Sequence, residues 1–155
     1  MAIRYSTQVQ PLFTQASDFV SGMGEVNATT KRSYFTRNTT DATNGSVAAD
    51  DVVYLARIPK GACVVGGVLK TGALGANNVA TVGIKSVSTA GTISTADFFL
   101  GSTSVAAISS TPFAQTEALG FGYVATEELF LTVTVTTGTV AGDKNILGYI
   151  EYLYN

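Results

Sequence analysis

The sequence contains no histidine, no tryptophan, one cysteine and three prolines in 155 residues. Each shortage excludes a class of chemistry. Without histidine the chain lacks the commonest general base and the commonest metal ligand. A Ser-His-Asp or Cys-His arrangement cannot be assembled within one chain. The single thiol, Cys63, has no partner for an internal disulfide and cannot complete a structural zinc set. It sits in the apolar run Ala62-Cys63-Val64-Val65, which reads as a small buried hydrophobe rather than a reactive nucleophile.

Charge is scarce as well. Charged residues make up 13% of the chain, about half the usual ~25% share, and the net charge is −2. The densest cationic patch is Lys31-Arg32 with Arg37 nearby. Neutralising several phosphates takes several clustered cations, so no direct nucleic-acid partner is expected. The longest apolar runs fall short of the ~18 residues of a membrane span. Met1-Ala2-Ile3-Arg4 opens without the apolar stretch of a signal peptide, so synthesis in a cytoplasm is expected.

Acid–base work by carboxylates needs convergent pairs. The adjacent pairs Asp50-Asp51 and Glu127-Glu128 lie in extended or turn segments, where neighbours point to opposite faces. The acids also lack the i, i+2, i+4 spacing of a calcium loop. Gly61 to Thr71 has a glycine-rich look, but Gly67 stands where a phosphate-binding loop needs lysine. Gly22-Met23-Gly24 fails as a dinucleotide fingerprint, because Asn27 occupies the third glycine position. The sequons at Asn27, Asn38 and Asn44 suit a Thr-rich composition without secretion. No catalytic residue, cofactor site or metal site is expected, and the chain does not read as an enzyme.

What is present is apolar material in short alternating runs. Hydrophobic residues make up 46% of the chain, enough for a real core. In Leu129 to Thr136 the odd positions from 129 are apolar or β-branched and Thr occupies 132, 134 and 136, which predicts one buried and one wet face. Ile146 to Tyr154 predicts a further strand, and Val52–Ile58, Ala62–Leu69 and Val79–Val87 predict three more. Gly66-Gly67 inside its run predicts a bulge or a close backbone approach. Leu119 to Val124 reads as a strand and Lys31 to Thr36 as a weak one. Thr95 to Leu100 reads as a short helix capped by Thr95 with Asp97 in its first turn, and residues 12–20 could make one or two helical turns. Asp41 to Gly45 is a turn cluster. The fold class is therefore all-β: a β-sandwich or jelly-roll-like domain over residues 48–155, with an extended N-terminal arm over residues 1–47 and one or two short helices.

From Asp51 onward the chain resembles the small head-decoration, or capsid-cement, proteins of tailed phages. The resemblance rests on Asp51-Val52-Val53-Tyr54-Leu55-Ala56-Arg57-Ile58-Pro59-Lys60-Gly61-Ala62 and on Gly67-Val68-Leu69-Lys70-Thr71-Gly72. It continues through Ala80-Thr81-Val82-Gly83, Thr95 to Leu100, and a closing strand ending in tyrosine. It covers residues 51–154. It implies no catalysis and a location on the virion capsid surface. It also implies binding to an assembled head, with the major capsid protein as partner. A chain this apolar and this sparsely charged is expected to be a homo-oligomer, a trimer in preference to a dimer. The alternatives from the same composition are a carbohydrate-binding tail-fibre or receptor-binding tip domain, and a glycan-acting sandwich built on two carboxylates. The residues expected to touch the shell or a neighbouring subunit are Arg4, Lys31, Arg32 and Arg37 of the arm, with Tyr152 and Tyr154 of the last strand.

Overall fold

Most of the period-two runs become strands in the computed structural model, which describes residues 29–41 and 45–154. The strands are β1 (Thr29–Asn38), β2 (Thr40–Asp41), β3 (Gly45–Ser46), β4 (Val52–Ile58) and β5 (Cys63–Thr71). They continue with β6 (Val79–Ser86), β7 (Ser94–Ser104), β8 (Ser109–Phe113), β9 (Leu129–Thr136) and β10 (Asn145–Tyr154). Two four-stranded antiparallel sheets face each other, in the orders β1-β10-β5-β8 and β4-β9-β6-β7, and β2-β3 is a small separate hairpin.

The topology follows one rule. β6 pairs with β7, β5 with β8, β4 with β9 and β1 with β10. The partners lie at nearly equal distances either side of the turn at residues 87–93. The chain is thus one long antiparallel ribbon, doubled back at that turn and rolled so that alternate pairs fall in opposite sheets. Eight strands in two such sheets make a jelly roll.

Apolar side chains of the two inner faces form the core. Leu129, Leu131, Val133 and Val135 of β9 are fully buried beside Val82 of β6, and Ile146 and Ile150 of β10 meet them from the other sheet. An aromatic group closes one end. Phe99 lies 6.1 Å from Phe113 and 6.5 Å from Tyr123, and Phe98 stands edge-on to Phe99 at 5.1 Å. Burying a side chain of this size stabilises by roughly 1.5–3 kcal/mol.

Gly66-Gly67 does both things expected of it. The register of β5 against β10 shifts between Glu151, which pairs with Gly66, and Tyr152, which pairs with Val64, so Val65 next to the glycines is the bulged residue. A Cβ on Gly67 would meet the Phe113 ring at 2.2 Å, so β5 needs glycine there to let that ring into the core.

Several expectations are corrected. Residues 95–100 are not helical; they lie in β7, paired with β6. The capping signals there are a weak local preference, outweighed by the sheet. The reason is visible at Gly83, where a Cβ would stand 2.0 Å from the Thr95 carbonyl oxygen, so the two backbones run almost in contact. Residues 119–124 are not a strand. A short 3-10 turn (Glu117–Leu119) runs into Gly120 and Gly122, both with positive φ, and one bridge joins Val124 to Cys63. This turn is the one helical element among the described residues. The threonine face of β9 is not wet, since Thr132 and Thr134 are only 3% and 8% exposed. β9 is central in its sheet, and flanking residues from β4 and β6 cover both threonines. Cys63 is half-buried rather than core, because it alternates with the buried Ala62 and Val64. Residues 29–38, assigned to the arm by composition, form β1 and complete a sandwich sheet. Residues 1–28, including Arg4 and the helical turns expected at 12–20, lie outside the described residues, as do residues 42–44. Asp41 pairs with Gly45 across that last gap.

Loops at one end are tied by a single side chain. Asn78 is fully buried, and its Nδ2 donates to the carbonyl oxygens of Leu74 at 2.7 Å and Thr139 at 3.0 Å. It thereby joins the β5–β6 and β9–β10 connections. Asn78→Ala leaves two carbonyls without this donor and is expected to cost about 1–3 kcal/mol. A denaturant midpoint unchanged from wild type would show that the tie contributes nothing.

Candidate functional site

The acidic residues go to separate structural tasks. Glu127 accepts a hydrogen bond from the Ser86 hydroxyl at 2.7 Å, whereas Glu128 pairs with Arg57 at 3.1 Å. Asp51 accepts from the backbone N–H of Ala48 at 2.7 Å, closing a turn. Glu127 and Glu128 therefore take different partners and do not converge on one another. Among the described residues no three His, Cys, Asp or Glu side chains come together as a metal site.

Surface features are more informative, and the outer face of the β1-β10-β5-β8 sheet is the richest. Ile146 and Ile150 of β10 and Phe35 of β1 point to the core. The pleat then sends Leu147, Tyr149 and Glu151 outward, beside Arg32, Tyr34 and Thr36 of β1. Tyr34 is 70% exposed and meets Tyr149 edge-on at 5.8 Å. The Arg32 guanidinium lies 4.8 Å over the Tyr149 ring and donates from Nε to Glu151. The hydrogen bond to Glu151, and then one to Tyr34, push Arg32 above the ordinary arginine range. It stays charged under all ordinary conditions, so the cluster is a fixed aromatic and ionic surface.

β1 and β4 are edge strands of opposite sheets, and a cavity of about 510 Å³ opens between them. Its lining includes Thr36, Arg37, Ser46, Asp51, Val52 and Tyr54. A smaller aromatic group lies on the other sheet. Tyr54 stands edge-on to Phe130 at 4.9 Å, Lys85 Nζ donates to the Tyr54 hydroxyl at 2.9 Å, and Arg57 stacks 5.5 Å over Phe130. The Arg57–Glu128 pair has both side chains about half exposed, so water screens it. Arg57→Ala is expected to change stability by less than about 1 kcal/mol, read from the thermal midpoint.

Of the residues expected to make contacts, Lys31, Arg32 and Arg37 all lie on β1, with Arg32 on the face opposite Lys31 and Arg37. Tyr152 packs against the core with only part of its side chain exposed. Tyr154 pairs with Thr29 at the end of the ladder. Sequence reasoning missed Tyr34, Tyr149 and Glu151. The signal for the last two was present: they occupy the parity opposite to Ile146 and Ile150 in β10.

No family model matches the sequence, and no curated protein matches it. Solved structures do. The chain is similar to one in the capsid asymmetric unit of cyanophage Pam1, with TM-score 0.63 and 21% identity, covering 86% of this chain and 90% of that one. It is similar to one in the capsid of Ralstonia phage GP4, with TM-score 0.62, 21% identity and coverage of 83% and 84%. A third is in the acid-stable capsid of Helicobacter pylori bacteriophage KHP30, with TM-score 0.55, 18% identity and coverage of 81% and 89%. Over more than four-fifths of its length, the chain shares their fold.

Proposed function

We propose that this chain is a structural component of a phage capsid, a decoration or cement protein that binds and stabilises the assembled head. One observation carries the reading: the three structures named above, which share this fold over more than four-fifths of the chain, are all of phage capsids. The surface agrees with it. Cationic and aromatic side chains gather on the outer face of the β1-β10-β5-β8 sheet, where Arg32 lies over Tyr149 and pairs with Glu151, while Asp51 closes a turn and Glu128 pairs with Arg57. The partner is the major capsid protein, the location is the outer surface of the virion, and the role involves no reaction. A homo-oligomer, a trimer in preference to a dimer, would cover part of the exposed apolar surface, which includes Ile108 at 84% exposure.

The test is direct. Purified chain is mixed with heads that lack it, and the particles are sedimented and imaged by cryo-electron microscopy. Regular density on the head lattice is the expected result. Density at the tail tip or fibres would replace this reading with receptor binding. Light scattering of the free protein at micromolar concentration checks the oligomer, and a monomer mass would overturn that part.

A further inference from the structure

We infer that the cleft where the β6–β7 turn meets Tyr54 and Phe130 binds an acidic sugar, a pyranose that carries a carboxylate. Such a site is separate from the capsid reading above and does not depend on it.

Strand register builds the cleft. On the outer face of the β4-β9-β6-β7 sheet, Phe130 of β9 pairs with Lys85 of β6 on one side and Arg57 of β4 on the other. Tyr54 of β4 lies one outward step along, paired with Thr132, and its ring stands edge-on to Phe130 at 4.9 Å. β6 ends at Ser86, and the chain turns back over residues 87–93 into β7. Together these enclose a cavity of about 290 Å³, close to the lower end of the roughly 300–1,000 Å³ of small-ligand pockets.

The turn is held by bonds of its own. The Ser86 N–H donates to the Ile93 carbonyl oxygen at 2.8 Å. The Ser86 hydroxyl accepts from the Ile93 N–H at 3.0 Å and donates to Glu127 at 2.7 Å. A Cβ on Gly91 would stand 2.3 Å from the Ser86 Cβ, so glycine lets the turn close down on that residue. A wall fixed in this way loses little freedom when a ligand enters.

The lining selects the ligand. Lys85 is the one charged side chain among the described lining residues. Its ammonium donates to the Tyr54 hydroxyl at 2.9 Å and pairs with no described carboxylate. Nζ lies 5.6 Å from the Tyr54 ring centre, close to the hydrogen bond plus the reach of the phenol oxygen. It therefore stands beyond the hydroxyl, in line with the C–O bond, and does not cover the ring. An ammonium with two donors left and no counter-ion favours an anion. The Glu127 carboxylate is held on the Ser86 hydroxyl and does not line the cavity. Ser88, Thr89 and Ser94 line the same opening with hydroxyls, each able to donate and accept, which suits a polyol. Tyr54, 47% exposed, and the half-buried Phe130 offer ring surface for the apolar C–H face of a pyranose. A carboxylate, several hydroxyls and an apolar face occur together in an acidic sugar.

The test titrates the isotope-labelled full chain with D-glucuronate, D-galacturonate and N-acetylneuraminate and follows amide chemical shifts. At least one of them is expected to shift the amides of Tyr54, Phe130 and residues 85–94 in a saturable way, with a Kd of about 1 mM. Neutral methyl glucoside and methyl galactoside should bind at least tenfold more weakly. Lys85→Gln is expected to remove that preference for the acid, and Tyr54→Ala to weaken binding at least tenfold. Lys70→Gln, on the other sheet, should behave like wild type. Three acidic sugars that give no saturable shift, or shifts confined to other parts of the chain, overturn the site. Acetate that moves the same amides as strongly leaves only an anion contact and overturns the sugar. A Lys85→Gln chain that keeps the wild-type preference also overturns it. The first of these readings is made on the unmodified chain, so a variant that fails to fold leaves it decisive.

Discussion

Phe99→Ala should lower the free energy of unfolding by about 3–5 kcal/mol, seen as a large fall in the denaturant midpoint with little change in slope. Phe99 is completely buried, and its ring touches rings from three other parts of the chain: its neighbour Phe98, Phe113 of β8, and Tyr123 after the 3-10 turn. The Gly120 turn lies so close that a Cβ there would stand 2.6 Å from the Phe99 ring. Removing the ring leaves a cavity whose walls belong to both sheets and a loop, so it cannot collapse from one side. A loss of this size is a large part of the 5–15 kcal/mol that a domain usually has in total. Phe98→Ala is the control. Phe98 contacts Phe99 and Tyr123, but it is only half-buried, so its truncation should cost clearly less. Equal losses for the two would mean that Phe99 is not the centre of the cluster.

Gly148→Ala should be nearly as damaging by the opposite route, through too much volume rather than too little. Gly148 sits in β10, between β1 and β5, and pairs with Phe35 on one side and Leu69 on the other. A Cβ there would stand 1.9 Å from the Val68 carbonyl oxygen and 3.0 Å from the Phe35 ring. The obstacle at 1.9 Å is backbone, which no rotamer change can move. Relief requires β5 to shift away from β10, and the ladder between them weakens. The cost should reach or exceed the upper end of the roughly 1–3 kcal/mol typical of overpacking. Gly101→Ala offers the contrast, because nothing lies within 4 Å of the new methyl group. It should stay within about 0.5 kcal/mol of wild type. Thermal melts of the two variants side by side decide the matter.

These substitutions separate what the sequence could express from what it could not. The pattern of β9 and β10 was legible because it is a local, period-two property of eight or nine consecutive residues. The role of Gly66-Gly67 was legible because glycine inside a strand has few other uses. The helix expected at 95–100 failed because Thr95 and Asp97 carry a genuine capping signal, while the partner that overrides it, β6, starts sixteen residues earlier. The burial of Thr132 and Thr134 could not be read from β9 alone, since it depends on which strands flank it. Assigning residues 29–38 to an arm failed for a similar reason. β1 has little apolar content, and its place in the sheet comes from β10, the last strand of the described chain. For the candidate surface, the cationic set on β1 was visible as a cluster in the sequence. Tyr34 and Tyr149 were not, because their meeting is a register between strands more than a hundred residues apart.

The nested pairing also fixes how the subunit would respond to being pulled. Thr29 and Tyr154 are ladder partners at the same end of β1 and β10. Tension applied between those two residues would part the strands like a zip, loading one pair of hydrogen bonds at a time, the geometry in which a sheet is mechanically weakest. A pull along β1 itself would load all ten of its pairs together, in shear. The fold would resist tension best if held along the length of that strand, and poorly if tethered at its tip.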